Sequence, residues 1–289
     1  MDFTKIDNKE NLKTSFIKID FKKHDFLKKL NFLKKSMVFF IPIVLYILFF
    51  FTEKLVISYF NVYKNEILLS PSLNHILGTD YFGKDMFYIL IKACKNSLLI
   101  GYIASMSALL IGVAMGFLSS LNKILNYYIT ILIDVFNSIP SIIFLIFLQS
   151  FLKSNNIYII ALLIGLTMFT SYAKVSRNKI IEIKNKDFYR ASFLMGANKL
   201  YLFKKHIYPY LKTQIMYIFA FNVGKAILLE SSLSFFGFGI SIQEYSLGSL
   251  LIDAKKSVFE NKWWTFLFPG LSIIFLVYIM KFFAQKSEE

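Results

Sequence analysis

The stretch Gly78–Asp85, GTDYFGKD, carries the spacing in this chain that comes nearest to a phosphate cradle. Gly78, Gly83 and Lys84 fall where the loop G-x-x-x-x-G-K-[ST] has its glycines and its lysine. The last position is Asp85 instead of the hydroxyl that would hold magnesium, and a carboxylate there repels phosphate. No strand pattern precedes the loop. Nucleotide binding at this site is rejected. No other such loop occurs in the chain, so any ATP hydrolysis must come from a separate subunit.

Asp134, Lys225 and Glu230 are ionisable residues set inside long apolar runs. Such groups are costly in hydrocarbon and face a cavity, a pore or a partner. Lys225 and Glu230 are five positions apart, so they project from different faces of one helix and are not expected to pair. A proton relay would need such groups across several spans, and only these few are visible. Structural contacts between helices and a place on a substrate path both stay open for Asp134 and Glu230.

The remaining reactive side chains are sparse. His24, His75 and His206 are far apart and not at ligand spacing, and Cys94 is the single cysteine. No metal site and no disulfide is expected. No Ser/His/Asp or Cys/His constellation is evident. The chain is read as neither an enzyme nor a cofactor carrier.

These residues need elements to hold them, and the elements are apolar blocks. Of the 289 residues 56% are hydrophobic and 33 are Phe, and they come in long runs, which is the signature of a membrane protein. The net charge of +15 sits in the polar segments between runs and not in a continuous patch, which speaks for membrane orientation and against nucleic acid. Six runs can be placed: Met37–Phe51, Leu98–Ser120, Tyr128–Phe151, Ile157–Ala173, Ile215–Leu233 and Thr265–Phe283. At ~1.5 Å per residue most can cross ~30 Å of hydrocarbon as helices. The fold expected is an all-α integral membrane protein of six transmembrane helices.

Charge orients the six. Residues 1–36 hold ten lysines among five acids, and the stretch Ala173–Lys212 holds ten Lys/Arg against two acids, Glu182 and Asp187. Both fall on one side of a six-span chain, and the positive-inside rule makes that side cytoplasmic, together with the C-terminus. The external segments are then Thr52–Asn96, Lys153–Asn156 and Ser234–Trp264, and Trp263 and Trp264 lie where an aromatic belt would sit. The domains are residues 1–36, a cytoplasmic segment; 37–96, the first span and its external loop; 97–284, the core with the basic loop 173–212; and 285–289, a cytoplasmic tail. Within the core, Gly112 and Gly116 form a G-x-x-x-G that suits tight packing inside the bundle better than a dimer face. Pro140 should kink or break the third run.

Three stretches together resemble the permease subunits of ATP-binding-cassette importers of the dipeptide/oligopeptide and nickel branch. The first is His75-Ile-Leu-Gly-Thr-Asp80 with Gly83-Lys84-Asp85 and Asn96-Ser97-Leu98-Leu99, similar to the family's HxLGTDxxGRD segment, with Lys84 where Arg is usual. The second is Ala191 to Pro209, preceded by Arg190. It resembles the cytoplasmic EAA loop in its Gly196–Pro209 spacing and in Ala191, with Ser192 for the other small residue and Arg190 in place of the Glu. The third is Glu230 to Gly239, ESSLSFFGFG, then Leu247-Gly248 and Phe268-Pro269-Gly270-Leu271. It is similar to ExSLSFLGLG…WG…FPGL, with Leu247 for the Trp.

The resemblance implies the type I importer permease fold in a bacterial inner membrane. It implies a second, similar permease, two ATPases and an external solute-binding protein as partners. It assigns Arg190, Ala191, Ser192, Gly196, Ala197, His206 and Pro209 to a coupling helix that docks in the ATPase. It assigns Gly78, Thr79, Asp80, Gly83 and Asp85 to a motif before the second span. The Arg190 replacement puts in question any salt bridge assigned to the usual Glu. Short peptides are the implied cargo, with nickel chelates and other small solutes as alternatives. An ion-coupled secondary transporter and a non-transporting membrane protein are the other classes.

Overall fold

The computed structural model describes residues 40–57, 67–241 and 244–288. His24 and the expected cytoplasmic segment 1–36 lie outside the described residues. Among the described residues ten α-helices follow in order: α1 Ile41–Ile57, α2 Met86–Ser119, α3 Lys123–Ser138, α4 Ser141–Leu152, α5 Ile157–Lys184, α6 Asp187–Leu194, α7 Lys199–Leu202, α8 Tyr208–Phe235, α9 Leu247–Phe259 and α10 Trp264–Glu288. A π turn, Phe203–Ile207, joins α7 to α8 into one continuous rod.

Four stretches among the described residues are long and apolar enough to cross a bilayer: Met86–Ser119, Ile157–Lys184, Leu200–Phe235 and Trp264–Lys286. The expected third span, Tyr128–Phe151, is not one rod. It is the pair α3 and α4, bent by 89° at the break, and counted as one it makes five. The cause is Pro140. Its ring disfavours helical geometry at Ile139, which is extended at φ −97° and ψ 127°, and it has no N–H to continue the ladder. The first of the six expected spans corresponds to α1, which has 17 helical residues.

Helices outrun the apolar runs that announce them. The 34 residues of α2 make a rod of about 50 Å at ~1.5 Å per residue, longer than the hydrocarbon layer. α5 likewise continues from Ala173 to Lys184, and α8 begins at Tyr208, not at Ile215. Polarity marks where a helix meets water, and backbone hydrogen bonds carry on past that line. Side-chain caps set the starts: Asp85 for α2, Asn122 for α3 and Asn156 for α5 each accept a backbone N–H two or three residues on.

The bundle is built on α2, α5 and α8. Gly112 and Gly116 of α2 lie against α5. A Cβ on Gly112 would come within 2.4 Å of the Phe169 carbonyl, and one on Gly116 within 2.6 Å of Ser176 Cβ. The G-x-x-x-G therefore packs inside the bundle. Ile100, Ala104 and Ala108 of α2 bury against Ile160, Ile164 and Tyr172 of α5. Phe219, Val223 and Ile227 of α8 bury with Leu98 of α2 and with Leu276 and Met280 of α10. One polar tie threads this core: Ser105 Oγ lies 2.7 Å from Tyr172 Oη and donates to the Phe219 carbonyl at 3.1 Å.

Candidate functional site

The motif residues sort to the two ends of the bundle. At one end meet the start of α2, the end of α8, the start of α10 and all of α9. Asp85 organises the first motif. Its Oδ1 caps α2 by accepting the Phe87 N–H at 2.8 Å, and its Oδ2 lies 2.8 Å from Nδ1 of buried His75. A carboxylate only accepts, so the imidazole donates. The two bonds fall on the two separate carboxylate oxygens, which a hydroxyl does not have. Asp85 is thus a structural clasp and not a degraded magnesium ligand. Gly78 turns the chain at φ +76°, and a Cβ there would meet the Leu69 carbonyl at 2.6 Å and Trp264 Nε1 at 2.8 Å. Gly83 is likewise at positive φ. Thr79 is fully buried. Its Oγ1 accepts the Leu69 N–H at 2.8 Å, and its carbonyl accepts Trp264 Nε1–H at 3.3 Å. Trp264 is therefore locked into this end of the bundle, whereas Trp263 is 55% exposed. Asp80 Oδ1 accepts the N–H groups of Phe82 and Lys84. Burial pushes its carboxyl up, against the lowering pull of those bonds and of the Lys84 charge.

The third motif closes on the first. Glu230 of α8 is fully buried and accepts from Ser234 Oγ at 2.7 Å and from Ser97 Oγ of α2 at 3.2 Å. Ser97 Oγ in turn accepts the Leu247 N–H at 3.1 Å, at the start of α9. Asn96 donates to the carbonyls of Glu244 and Tyr245, and Lys84 Nζ donates to Tyr245 Oη at 2.5 Å. Gly248 packs on α8, where a Cβ would lie 2.6 Å from Ser231 Cα. Residues more than a hundred positions apart thus form one polar knot. Asp134 takes no part: it is exposed on α3, whereas Glu230 is buried. Lys225 is exposed while Glu230 is buried, as their spacing requires.

At the other end, α6 projects from the bundle. None of its eight residues is buried. Its stop is a complete glycine cap. Gly196 sits at φ +83°, its N–H reaching the Phe193 carbonyl at 3.0 Å, and the Ala197 N–H reaches the Ser192 carbonyl at 3.1 Å. Behind the cap Leu194 and Met195 stand 83% and 81% exposed, with Phe193 beside them. His206 steadies the helix from the π turn. Its Nε2 lies 3.1 Å from Ser192 Oγ, and its ring lies 5.4 Å from that of Phe188. Arg190 donates to Asn185 Oδ1 at 3.2 Å, a local bond on the surface. Burial raises the Tyr189 phenol above its ordinary value. Pro209 lies inside a continuous helix, not in a break before it. It cannot donate to residue 205 and would crowd that carbonyl, and the wider π turn just before it relieves both problems.

Sequence reasoning did not single out Lys84–Tyr245, the Trp264–Thr79 bond or the buried Lys95–Glu53 ion pair that ties α2 to α1. Tyr245 has no motif signal at all, and its positive φ of 47° shows only in the structure.

Residues 108–288 match the family described as binding-protein-dependent transport system inner membrane component. The chain belongs to this family. It is the permease component of an ABC importer. The permease is 28% identical over 223 residues to the dipeptide transport system permease protein DppC of Alkalihalophilus pseudofirmus, covering 76% of this chain and 72% of that one. It is 28% identical over 231 residues to the oligopeptide transport system permease protein OppC of Mycobacterium tuberculosis, covering 77% and 76%. Its fold is similar to a chain of the inward-facing MetNI methionine ABC transporter, with a TM-score of 0.60 at 17% identity, over 70% of this permease and 95% of that chain.

Proposed function

We propose that this permease forms one half of a peptide translocation path and receives its mechanical input through α6. The observation that carries this reading is the surface of α6: an eight-residue helix with no buried side chain, ended by a glycine cap, whose Phe193 and Leu194 lie bare at one end of the bundle together with Met195 of the cap. Apolar side chains held out in this way mark a protein contact. Two ATPases dock there, one on this chain and one on a similar, non-identical permease. Arg190, Ala191, Ser192, Gly196, Ala197, His206 and Pro209 shape the docking element and do not react with anything.

The N- and C-termini and the basic 173–212 region face the cytoplasm of the bacterial inner membrane, and the knot around Glu230 faces outward, where a solute-binding protein delivers cargo. ATP hydrolysis belongs to the ATPases, and this chain needs no cofactor of its own. Di- or oligopeptides are the cargo, as in the relatives' names. Access switches because ATPase closure changes how α6 is held, and the ATPase can shift the equilibrium only by its difference in affinity for the two states. Uptake of radiolabelled peptide by cells lacking this chain tests the cargo. Loss of uptake, restored by the chain and competed by unlabelled peptide, is expected. Peptide uptake unaffected by its loss, or competition by nickel alone, would contradict it.

A further inference from the structure

Three stripes run along α3. Leu125, Ile129, Ile133 and Phe136 turn inward and pack with Phe169 and Ala173 of α5. Tyr128, Ile131, Leu132 and Val135 form an exposed apolar stripe. Tyr127, Thr130, Asp134, Asn137 and Ser138 form a third, polar one. Within each stripe the residues recur at steps of three and four, so each is one face of the helix. In a membrane the bundle takes the first stripe, and lipid or a second permease takes the apolar one. Neither surrounding suits the polar stripe, because an ionisable side chain against hydrocarbon is costly. That stripe requires water. α3 is also half of a span bent by 89°, and broken helices at membrane depth are tolerated where they line a water-filled cavity.

Asp134 lies about three turns beyond Lys123, the other charged residue of α3. It is exposed, and among the described residues no ion pair involves it. Its neighbours are held in place. Thr130 Oγ1 donates to the Asn126 carbonyl at 2.6 Å, Ser138 Oγ donates to the Asp134 carbonyl at 2.7 Å, and Asn137 Oδ1 accepts from Thr170 Oγ1 of α5 at 2.9 Å. The stripe therefore presents one carboxylate among neutral polar groups.

We propose, resting on the transport reading above, that the polar stripe of α3 is a wall of the translocation path and that Asp134 is its charge-selecting residue, meeting the ammonium groups of peptide cargo. A free peptide carries such a group at its amino terminus, and lysine side chains add more. The carboxylate accepts from it in a charge-assisted hydrogen bond. The neutral members of the stripe offer hydrogen bonds to water and to peptide amides.

The test uses the assembled transporter in membrane vesicles, with uptake of lysine-rich and glutamate-rich peptides of equal length measured side by side. Asp134→Asn keeps the shape and removes the charge. Its ratio of lysine-rich to glutamate-rich uptake should fall about tenfold, the weight of one charge-assisted hydrogen bond, and Asp134→Glu should restore it. A fall of both peptides in proportion would make Asp134 a structural contact, such as one to a cation of the second permease, and would overturn the proposal. An unchanged ratio would overturn it and leave the transport reading standing. A wild type that takes up peptides of neither kind would overturn both. If Asp134→Asn does not assemble, thiol labelling decides. Cys94 is buried, so a charged thiol reagent should label Ser138→Cys on the polar stripe and spare Val135→Cys on the apolar one. Equal labelling of the two, or labelling of position 135 alone, would overturn the proposal.

Discussion

Ser97 on α2 donates to Glu230 on α8 at 3.2 Å, a bond between residues 133 positions apart. It joins two of the sequence motifs that look separate along the chain. Glu230 has no exposed surface, and its carboxylate is held by hydroxyls, not by a cation. Glu230→Ala would strand Ser97 and Ser234 and leave a cavity. The expected loss is about 2–3 kcal/mol. Glu230→Gln keeps an accepting oxygen and should lose less. Thermal unfolding of the two purified variants orders them. Equal stability of Glu230→Ala and wild type would refute the clasp.

Gly78 and Gly196 share a left-handed backbone and differ in surroundings. A Cβ on Gly78 would clash with the Leu69 carbonyl and Trp264, whereas nothing lies within 4 Å of one on Gly196. Gly78→Ala should therefore destabilise the permease by more than 2 kcal/mol or so, and Gly196→Ala by only about 1 kcal/mol. Denaturation midpoints in a common detergent measure the difference, and reversal of the order would contradict the packing described around Trp264.

Proline at 196 acts differently, because its ring locks φ near −65° and cannot adopt +83°. Gly196→Pro should misdirect the end of α6 while leaving the spans intact. Membrane insertion, followed by fractionation, should be normal while peptide uptake is lost. Normal uptake by this variant would remove α6 from the coupling role.

Lys95 and Glu53 form an ion pair that is mostly buried between α2 and α1. Removing one partner leaves a buried charge, so Lys95→Met should cost about 3–5 kcal/mol. The double variant Lys95→Met with Glu53→Gln should recover much of that. Folded yield from membranes reads out both, and a double variant no better than the single would show that the two residues act independently.

Much of this architecture is legible along the chain, and the reasons for the gaps are specific. Apolar runs mark α2, α5, α8 and α10 because hydrocarbon enforces them. Those runs set bilayer boundaries and not helix ends, so Met86–Lys95 and Lys174–Lys184 read as loop although they are helical. Pro140 signals a break, yet only packing sets a bend of 89°. α9 lies in a polar segment between apolar runs, and its 13 residues follow no membrane constraint that would announce them. The glycine stop at Gly196 is readable because a cap needs that residue. The docking of Trp264 on Thr79 is not, since it is a contact across 185 positions with no local signature. Asp134 and Glu230 look alike in sequence as acids in apolar runs, and only the fold separates one on an open helix face from one sealed in a knot.

The most direct test of coupling uses the single cysteine of the chain. Cys94 is buried, so Leu194→Cys, 83% exposed in the parent side chain, offers the only accessible thiol among the described residues. A short bifunctional crosslinker should join it to an ATPase subunit in assembled transporter, with a yield that changes between ATP-bound and nucleotide-free states. Transport-competent complexes that give no ATPase adduct from position 194 in either state would contradict the central claim that α6 carries the stroke.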